Sequence, residues 1–165
     1  MKKLFYYTIA AFLFVGLFSS CEKDDDEDLN PYVGTWKNEV GANLSGLQEQ
    51  LTFIFTNTTF EVEVYQGLTA NQLVLATAVK GDITNSTDTK LTGEITGVKL
   101  GDTPDYIEKE SNPESFASLF RVGLGTMLSE NFTASYVIVG NIMTLTIPVK
   151  SEDGVVDMPF ILTKQ

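Results

Sequence analysis

Histidine is absent from the sequence, and cysteine, tryptophan and arginine occur once each, as Cys21, Trp36 and Arg121. Without histidine or a second cysteine, Ser-His-Asp and Cys-His catalysis and every metal site built on His or several Cys are excluded. Basic residues are scarce: Lys and Arg total 11 against 22 Asp and Glu, a net charge of −11. That balance repels phosphate backbones, so nucleic acid is not expected as a partner and acidic substrates are disfavoured. No glycine-rich phosphate loop, nucleophile elbow or redox pair is present. What the chain does have is 11 Phe, 6 Tyr and 1 Trp within a 43% apolar composition, enough hydrophobic material for one core but not two. With 20% charged residues it lacks the composition of a disordered chain. One folded domain, without enzymatic machinery, a cofactor or a metal, is the expectation.

The N-terminus carries an address. Lys2 and Lys3 precede an apolar stretch over residues 4–18, and two small residues, Ser19 and Ser20, lead to Cys21. This is the layout of a secretion signal over residues 1–20, and the stretch is short for a membrane span of roughly 20 apolar residues. An uncleaved N-terminal anchor helix is the alternative. Phe18-Ser19-Ser20-Cys21 resembles the bacterial lipobox, with Phe18 where the pattern more often has Leu. The resemblance implies that Cys21 becomes an acylated N-terminus, carrying palmitate-type chains; each buried methylene contributes about 0.8 kcal/mol to membrane attachment. Its sulfur is then a thioether, so no disulfide supports the fold. Cleavage removes Lys2 and Lys3 from the 11 basic residues and leaves all 22 acidic ones, taking the net charge from −11 to −13.

Residues 21–30 form the acylated Cys and a tether. The run Glu22-Lys23-Asp24-Asp25-Asp26-Glu27-Asp28 repels itself into an extended, solvated spacer. It also looks like the acidic export tag that sends some lipoproteins of the Bacteroidota to the outer face of the outer membrane. The expected location is therefore the outer membrane with the domain at the cell surface, the periplasmic face being the alternative. The run lacks the glycine turn and distant Glu of a calcium loop.

From residue 31 to 165 the pattern is mainly period two with Gly, Asn and Asp punctuation, the signature of β-strands. Strands are expected over residues 32–40, 51–55, 60–65, 72–80, 90–100, 133–139 and 142–149, with a last one placing Val156, Met158, Phe160 and Leu162 inward. Polar turns are expected at 56–59 and 81–89, a two-residue turn at Gly140-Asn141, and a surface loop at 101–110. Pro148 suggests an edge or a bulge. Between the fifth and sixth strands, Asn112-Pro113 opens a helix as N-cap and first helical residue. Phe116, Leu119, Phe120, Leu124, Met127 and Leu128 make its apolar stripe, to be read as core or as a lid over a barrel mouth. Eight near-sequential antiparallel strands with one apolar face favour an all-β, up-and-down barrel with one amphipathic helix, with a β-sandwich as the alternative. Such a barrel is just wide enough to be filled by side chains or to hold one small ligand.

Pro31-Tyr32-Val33-Gly34-Thr35-Trp36-Lys37 opens the first strand, and its Gly-x-Trp resembles the signature of the lipocalin and fatty-acid-binding (calycin-like) barrels. The likeness is closest to bacterial lipocalin-like lipoproteins, where an acylated Cys and a tether precede a Gly-Thr-Trp strand, and a closing strand resembles Phe160-Ile161-Leu162-Thr163-Lys164. The resemblance implies structural closure of the barrel by Gly34 and Trp36, with a basic side chain from the last strand, here Lys164, lying across the Trp ring. It departs from the pattern in placing its helix inside the strand series rather than after it.

Paired carboxylates could act as acid and base, but Glu61 and Glu63 face away from the apolar side. The loop set Asp102, Asp105, Glu108, Glu110 and Glu114 matches no calcium loop. The Asn57, Asn85 and Asn131 acceptor-type triplets read as turn chemistry. The leading expectation is a lipid-anchored, extracytoplasmic binder of a small apolar or amphipathic ligand, held by Phe53, Phe55, Phe60, Val62, Met143, Leu145 and Phe160. The rival is a surface interaction or structural module with a filled barrel, meeting a protein or glycan partner through loops and exposed Tyr65, Tyr106 and Tyr136.

Overall fold

The computed structural model describes residues 30–165, apart from 44, 124–128 and 152–153. The expected signal, Cys21 and the acidic run lie outside the described residues, as do Leu124, Met127 and Leu128 of the helical stripe. The elements run β1 (Gly34–Lys37), β2 (Gly41–Ala42), β3 (Gln48–Phe55), β4 (Thr59–Gly67), β5 (Val74–Thr87), β6 (Lys90–Leu100), β7 (Ile107–Glu108), α1 (Pro113–Gly123), β8 (Asn131–Val139), β9 (Ile142–Ser151) and β10 (Gly154–Lys164). Every pairing is antiparallel. The order β1-β10-β9-β8-β6-β5-β4-β3 returns to β1 through the β1–β3 ladder, so eight strands close an up-and-down barrel. β1 bonding to both β3 and β10 removes the open edges that a sandwich would keep. The two short extra strands, β2 and β7, hang on β3 and β6.

Three local expectations need correction. The segment 81–89 is not a long turn: β5 continues to Thr87 opposite Lys90, and only residues 88–89 turn. Its polar composition reflects an outer face in water, while main-chain pairing with β6 makes it strand; Asn85 likewise lies in β5, and Asn131 opens β8. The loop 101–110 contains β7, which pairs Ile107 with Val98. The first strand is shorter than its sequence pattern, because a turn that bonds Val33 N to Asn30 O (2.9 Å) precedes it.

That turn builds the closed floor of the barrel. Tyr32 and Trp36 are fully buried, and the Trp36 indole donates to the Tyr32 carbonyl at 2.8 Å. Tyr32 meets Phe55 and Tyr136 edge to face at 6.0 and 5.7 Å, the geometry that aromatic quadrupoles favour. Trp36 pairs in register with Lys164, whose ammonium stands 5.3 Å from the ring centroid. Gly34 has φ +133°, which requires glycine, and a Cβ there would lie 2.9 Å from Lys164 Cε, so the lysine stem would also have to shift to admit one. Tyr136 is thus buried in the floor, its hydroxyl donating to Thr87 O at 2.8 Å, and is not the external aromatic the sequence suggested. Its position opposite Leu145 puts it on the inward face of β8.

At the other end the wall is incomplete and α1 completes it. The β6–β8 ladder ends at Glu94 opposite Asn131, and the β8–β9 ladder ends at Ser135 opposite Thr146. Beyond those points β6 no longer pairs β8 and β9 pairs β10 alone, and α1 packs on β6 and β7. Phe116 and Phe120 are buried and stack at 5.8 Å. The helix starts where the sequence signals it: the Asn112 side chain accepts from Ser115 N at 3.3 Å, and the Asn112 carbonyl accepts from Phe116 N at 2.9 Å. Pro148 lies on β9 past the end of the β8 ladder, bonded in register to β10 alone, which is how an edge tolerates it. β10 in turn pairs β1 only through Thr163 and Lys164. Val156 therefore rises past the rim and is 54% exposed, although it has the inward parity.

Candidate functional site

The inward faces of the strands enclose a cavity of about 430 Å³ above the aromatic floor. That volume lies within the range of small-molecule sites, roughly 300–1,000 Å³. The wall is built by strand parity. Leu51, Phe53 and Phe55 of β3 face Val64, Val62 and Phe60 of β4 in register, and all six border the space. Val79 of β5, Leu91 and Ile95 of β6, Ala134 of β8 and Leu145 and Ile147 of β9 continue it round the barrel. Met158 and Phe160 of β10 and Val122 of α1 stand at the mouth.

The glycine at position 81 shapes the interior. A Cβ there would come within 2.1 Å of the Glu94 carbonyl and 2.6 Å of the Phe60 ring. The bare backbone, next to a register shift between Lys80 and Gly81, lets Phe60 lie against β5 and meet Phe132 edge to face at 5.2 Å. Phe53 bridges to Phe160 at 5.8 Å, across the stretch where β10 has no hydrogen-bonded contact with β3.

Of the seven candidates named from sequence, Phe53, Phe55, Phe60, Val62, Leu145 and Phe160 border the cavity. Met143 does not: it is fully buried opposite Leu162 in the packed interior toward the floor. Alternation assigned Met143 correctly to the inside but carried no information about depth. Gly34, Trp36 and Lys164 sit together at the floor, away from the cavity wall.

The sequence reading missed the polar part of the wall. Glu49, Gln66 and Thr77 border the cavity. Glu49 and Gln66 are paired across β3 and β4, the Gln66 amide donating to Glu49 at 2.7 Å and the Asn43 amide adding a bond of 3.3 Å to the same carboxylate oxygen. Thr77 donates to Lys99 O at 3.0 Å. Counting back by two from Phe53 through Leu51 reaches Glu49, so the parity signal was present; the irregular composition before Leu51 concealed where β3 starts.

Outside the barrel, Glu61 and Glu63 are engaged by tyrosines. Tyr106 donates to Glu61, and Tyr65 to Glu63 at 3.0 Å. The Tyr106 ring is flanked by Lys80 at 4.9 Å and Lys99 at 4.8 Å, and Lys80 also meets Glu108 at 2.7 Å. Burial first, and then the bond to Glu61, raise the Tyr106 hydroxyl well above the usual phenol range. These contacts strap the 101–110 segment onto β4, β5 and β6. Lys109 joins Glu94 at 2.8 Å and Glu130 at 3.1 Å, tying the same connection to the start of β8; those bonds raise its pKa. Among the described residues, no three Asp, Glu, His or Cys side chains converge in an arrangement that could hold a metal ion.

Comparison of the chain with protein-family models, with curated proteins and with solved structures finds no match. The barrel and its cavity are therefore the ground on which function is read.

Proposed function

We propose that this protein is a lipid-anchored, extracytoplasmic, lipocalin-like binder that carries a small apolar or amphipathic ligand inside its barrel. The observation that carries the reading is the cavity of about 430 Å³, walled mainly by Phe, Leu, Val and Ile side chains, with the exposed Val122 of α1 and Met158 of β10 among its lining. Burying apolar ligand surface there yields roughly 25 cal/mol per Å² before the costs of association. A barrel serving only as an outward-facing module has no need of interior space, and its side chains gain dispersion energy by filling it. The cavity thus weighs against the filled-barrel alternative, as does the engagement of Tyr65 and Tyr106 with this chain's own carboxylates.

In this reading residues 1–20 are the signal, Cys21 is the acylated anchor, and the acidic run tethers the domain to the outer membrane. Asn30 contacts the Asn57 side chain in the β3–β4 turn, at the floor end. A tether joined there holds the closed end toward the membrane and leaves the mouth facing away, so that ligand exchanges with the medium. No enzymatic step is needed to account for these features.

The deciding experiment is native mass spectrometry of the chain lacking residues 1–21, purified gently and compared with its denatured mass. A reproducible excess mass released on denaturation is expected, and it identifies the ligand. A clean apo mass, together with failure to take up any alkyl probe, refutes ligand carriage. Incorporation of labelled palmitate, abolished by Cys21→Ala, tests the anchor separately.

A further inference from the structure

The polar groups on the cavity wall carry one negative charge and no positive one, and they set the head group that an amphipathic ligand can present. Among the described lining residues there is one ionisable side chain, Glu49, and neither Lys nor Arg. A carboxylate only accepts hydrogen bonds. The Gln66 amide therefore presents its NH₂ to Glu49, as the 2.7 Å contact requires, and turns its carbonyl oxygen away from it. Both described bonds to Glu49 fall on Oε2, which leaves Oε1 without a partner among the described residues. The third polar group, Thr77, spends its hydroxyl proton on the Lys99 carbonyl, so toward the cavity it too can only accept. Three neighbouring strands thus offer acceptors and one negative charge beside an otherwise apolar wall, and the one side-chain donor left over among the described polar lining residues is the second, uncharged N–H of the Gln66 amide.

We infer that the cavity selects an apolar chain ending in a hydrogen-bond donor, an amine or a hydroxyl, and rejects the carboxylate of a free fatty acid. This rests on the cavity being the binding site, as proposed above, and goes further by naming the ligand's head group. A carboxylate seated with its tail among Phe53, Val62 and Leu145 would face the Glu49 charge with no cation on the wall to offset it. Like charges at close range in a partly apolar surround repel more strongly than in water. An ammonium or hydroxyl instead donates to Glu49 Oε1 or Gln66 Oε1. The segment over residues 41–50 thereby acquires a role: its Asn43 amide fixes the Glu49 carboxylate at the start of β3.

The test is calorimetric titration of the protein with dodecylamine, dodecanol and dodecanoate, which share one tail and differ at the head. The wild-type chain should bind the amine at least about fivefold more tightly than the carboxylate, the scale of one partly solvated ion pair, with the alcohol between them. Added salt should shrink the difference. Glu49→Gln should bring the amine and carboxylate affinities together. Asp157→Asn, an exposed change on the outward face of β10, should leave the preference intact and so separate a local effect from the overall negative charge. Equal or tighter binding of dodecanoate by the wild-type chain overturns the inference while leaving the cavity as a ligand site. A preference that survives Glu49→Gln, or disappears equally in Asp157→Asn, also overturns it. Failure of all three probes to bind overturns both this inference and the ligand-binding function. The wild-type ranking stands on its own if the Glu49 variant does not fold.

Discussion

Substituting Ala for Gly34 probes how the floor of the barrel is closed. Two costs are built into the position. The backbone stands at φ +133°, which an L-residue adopts at an expense of about 1–3 kcal/mol. The new methyl would also lie 2.9 Å from Lys164 Cε, and because that atom belongs to a flexible stem, the lysine can withdraw. Withdrawal sacrifices part of its contact with the Trp36 ring, now 5.3 Å from the ammonium, a further loss of about 0.5–1 kcal/mol. The expected total is about 2–4 kcal/mol, and for a domain of this size a thermal midpoint lowered by about 5–12 °C. Calorimetric or circular-dichroism melts of Gly34→Ala, Lys164→Ala and the double variant separate the terms. The backbone cost should persist in the double variant, while the lysine cost should be counted only once. A Gly34→Ala protein within about 0.5 kcal/mol of wild type, the range of an ordinary surface change, would refute the argument that this glycine closes the barrel.

Further outcomes follow from the wall and the strap. Gly81→Ala forces its methyl into the Glu94 carbonyl and the Phe60 ring, so the backbone itself must move; a loss of about 3 kcal/mol or more is expected in denaturant unfolding, beyond typical single substitutions. Asn112→Ala removes the cap that accepts from Ser115 N and should cost about 1 kcal/mol, with hydrogen exchange rising in Pro113–Gly123 ahead of the barrel strands. Tyr106 has its pKa raised by burial and by Glu61. Its stabilising contribution is accordingly complete below the unfolded tyrosine value of about 10 and is lost as pH climbs above it. Tyr106→Phe should therefore flatten the fall of stability with pH in that alkaline range, and an unchanged slope would contradict the strap.

The positions of the strands were legible from alternation, because a half-buried strand must keep one face apolar. Residues Phe60, Val62 and Val64 and their partners on β3 sit as the pattern requires. The helix start was equally legible, since Asn112 and Pro113 solve a local problem of unsatisfied donors that needs no distant partner. Where alternation stopped, the reading failed: residues 81–87 carry no apolar face to speak of, and their strand character comes from the ladder to β6, which only the folded chain supplies.

By itself, then, the sequence determined an all-β chain of eight principal strands, an inward parity for the clearest of them, such as the one carrying Phe60, Val62 and Val64, and the absence of histidine-based chemistry. Tertiary structure alone decided three further matters. It placed Met143 in the packed interior and left Leu145 on the cavity wall, because depth along a barrel depends on register and not on parity. It left space of about 430 Å³ rather than a filled core, since packing density is a property of many side chains meeting at once. It also turned Glu49 toward that space with Gln66 beside it, because whether a charge faces water or an apolar wall is fixed by the strands around it.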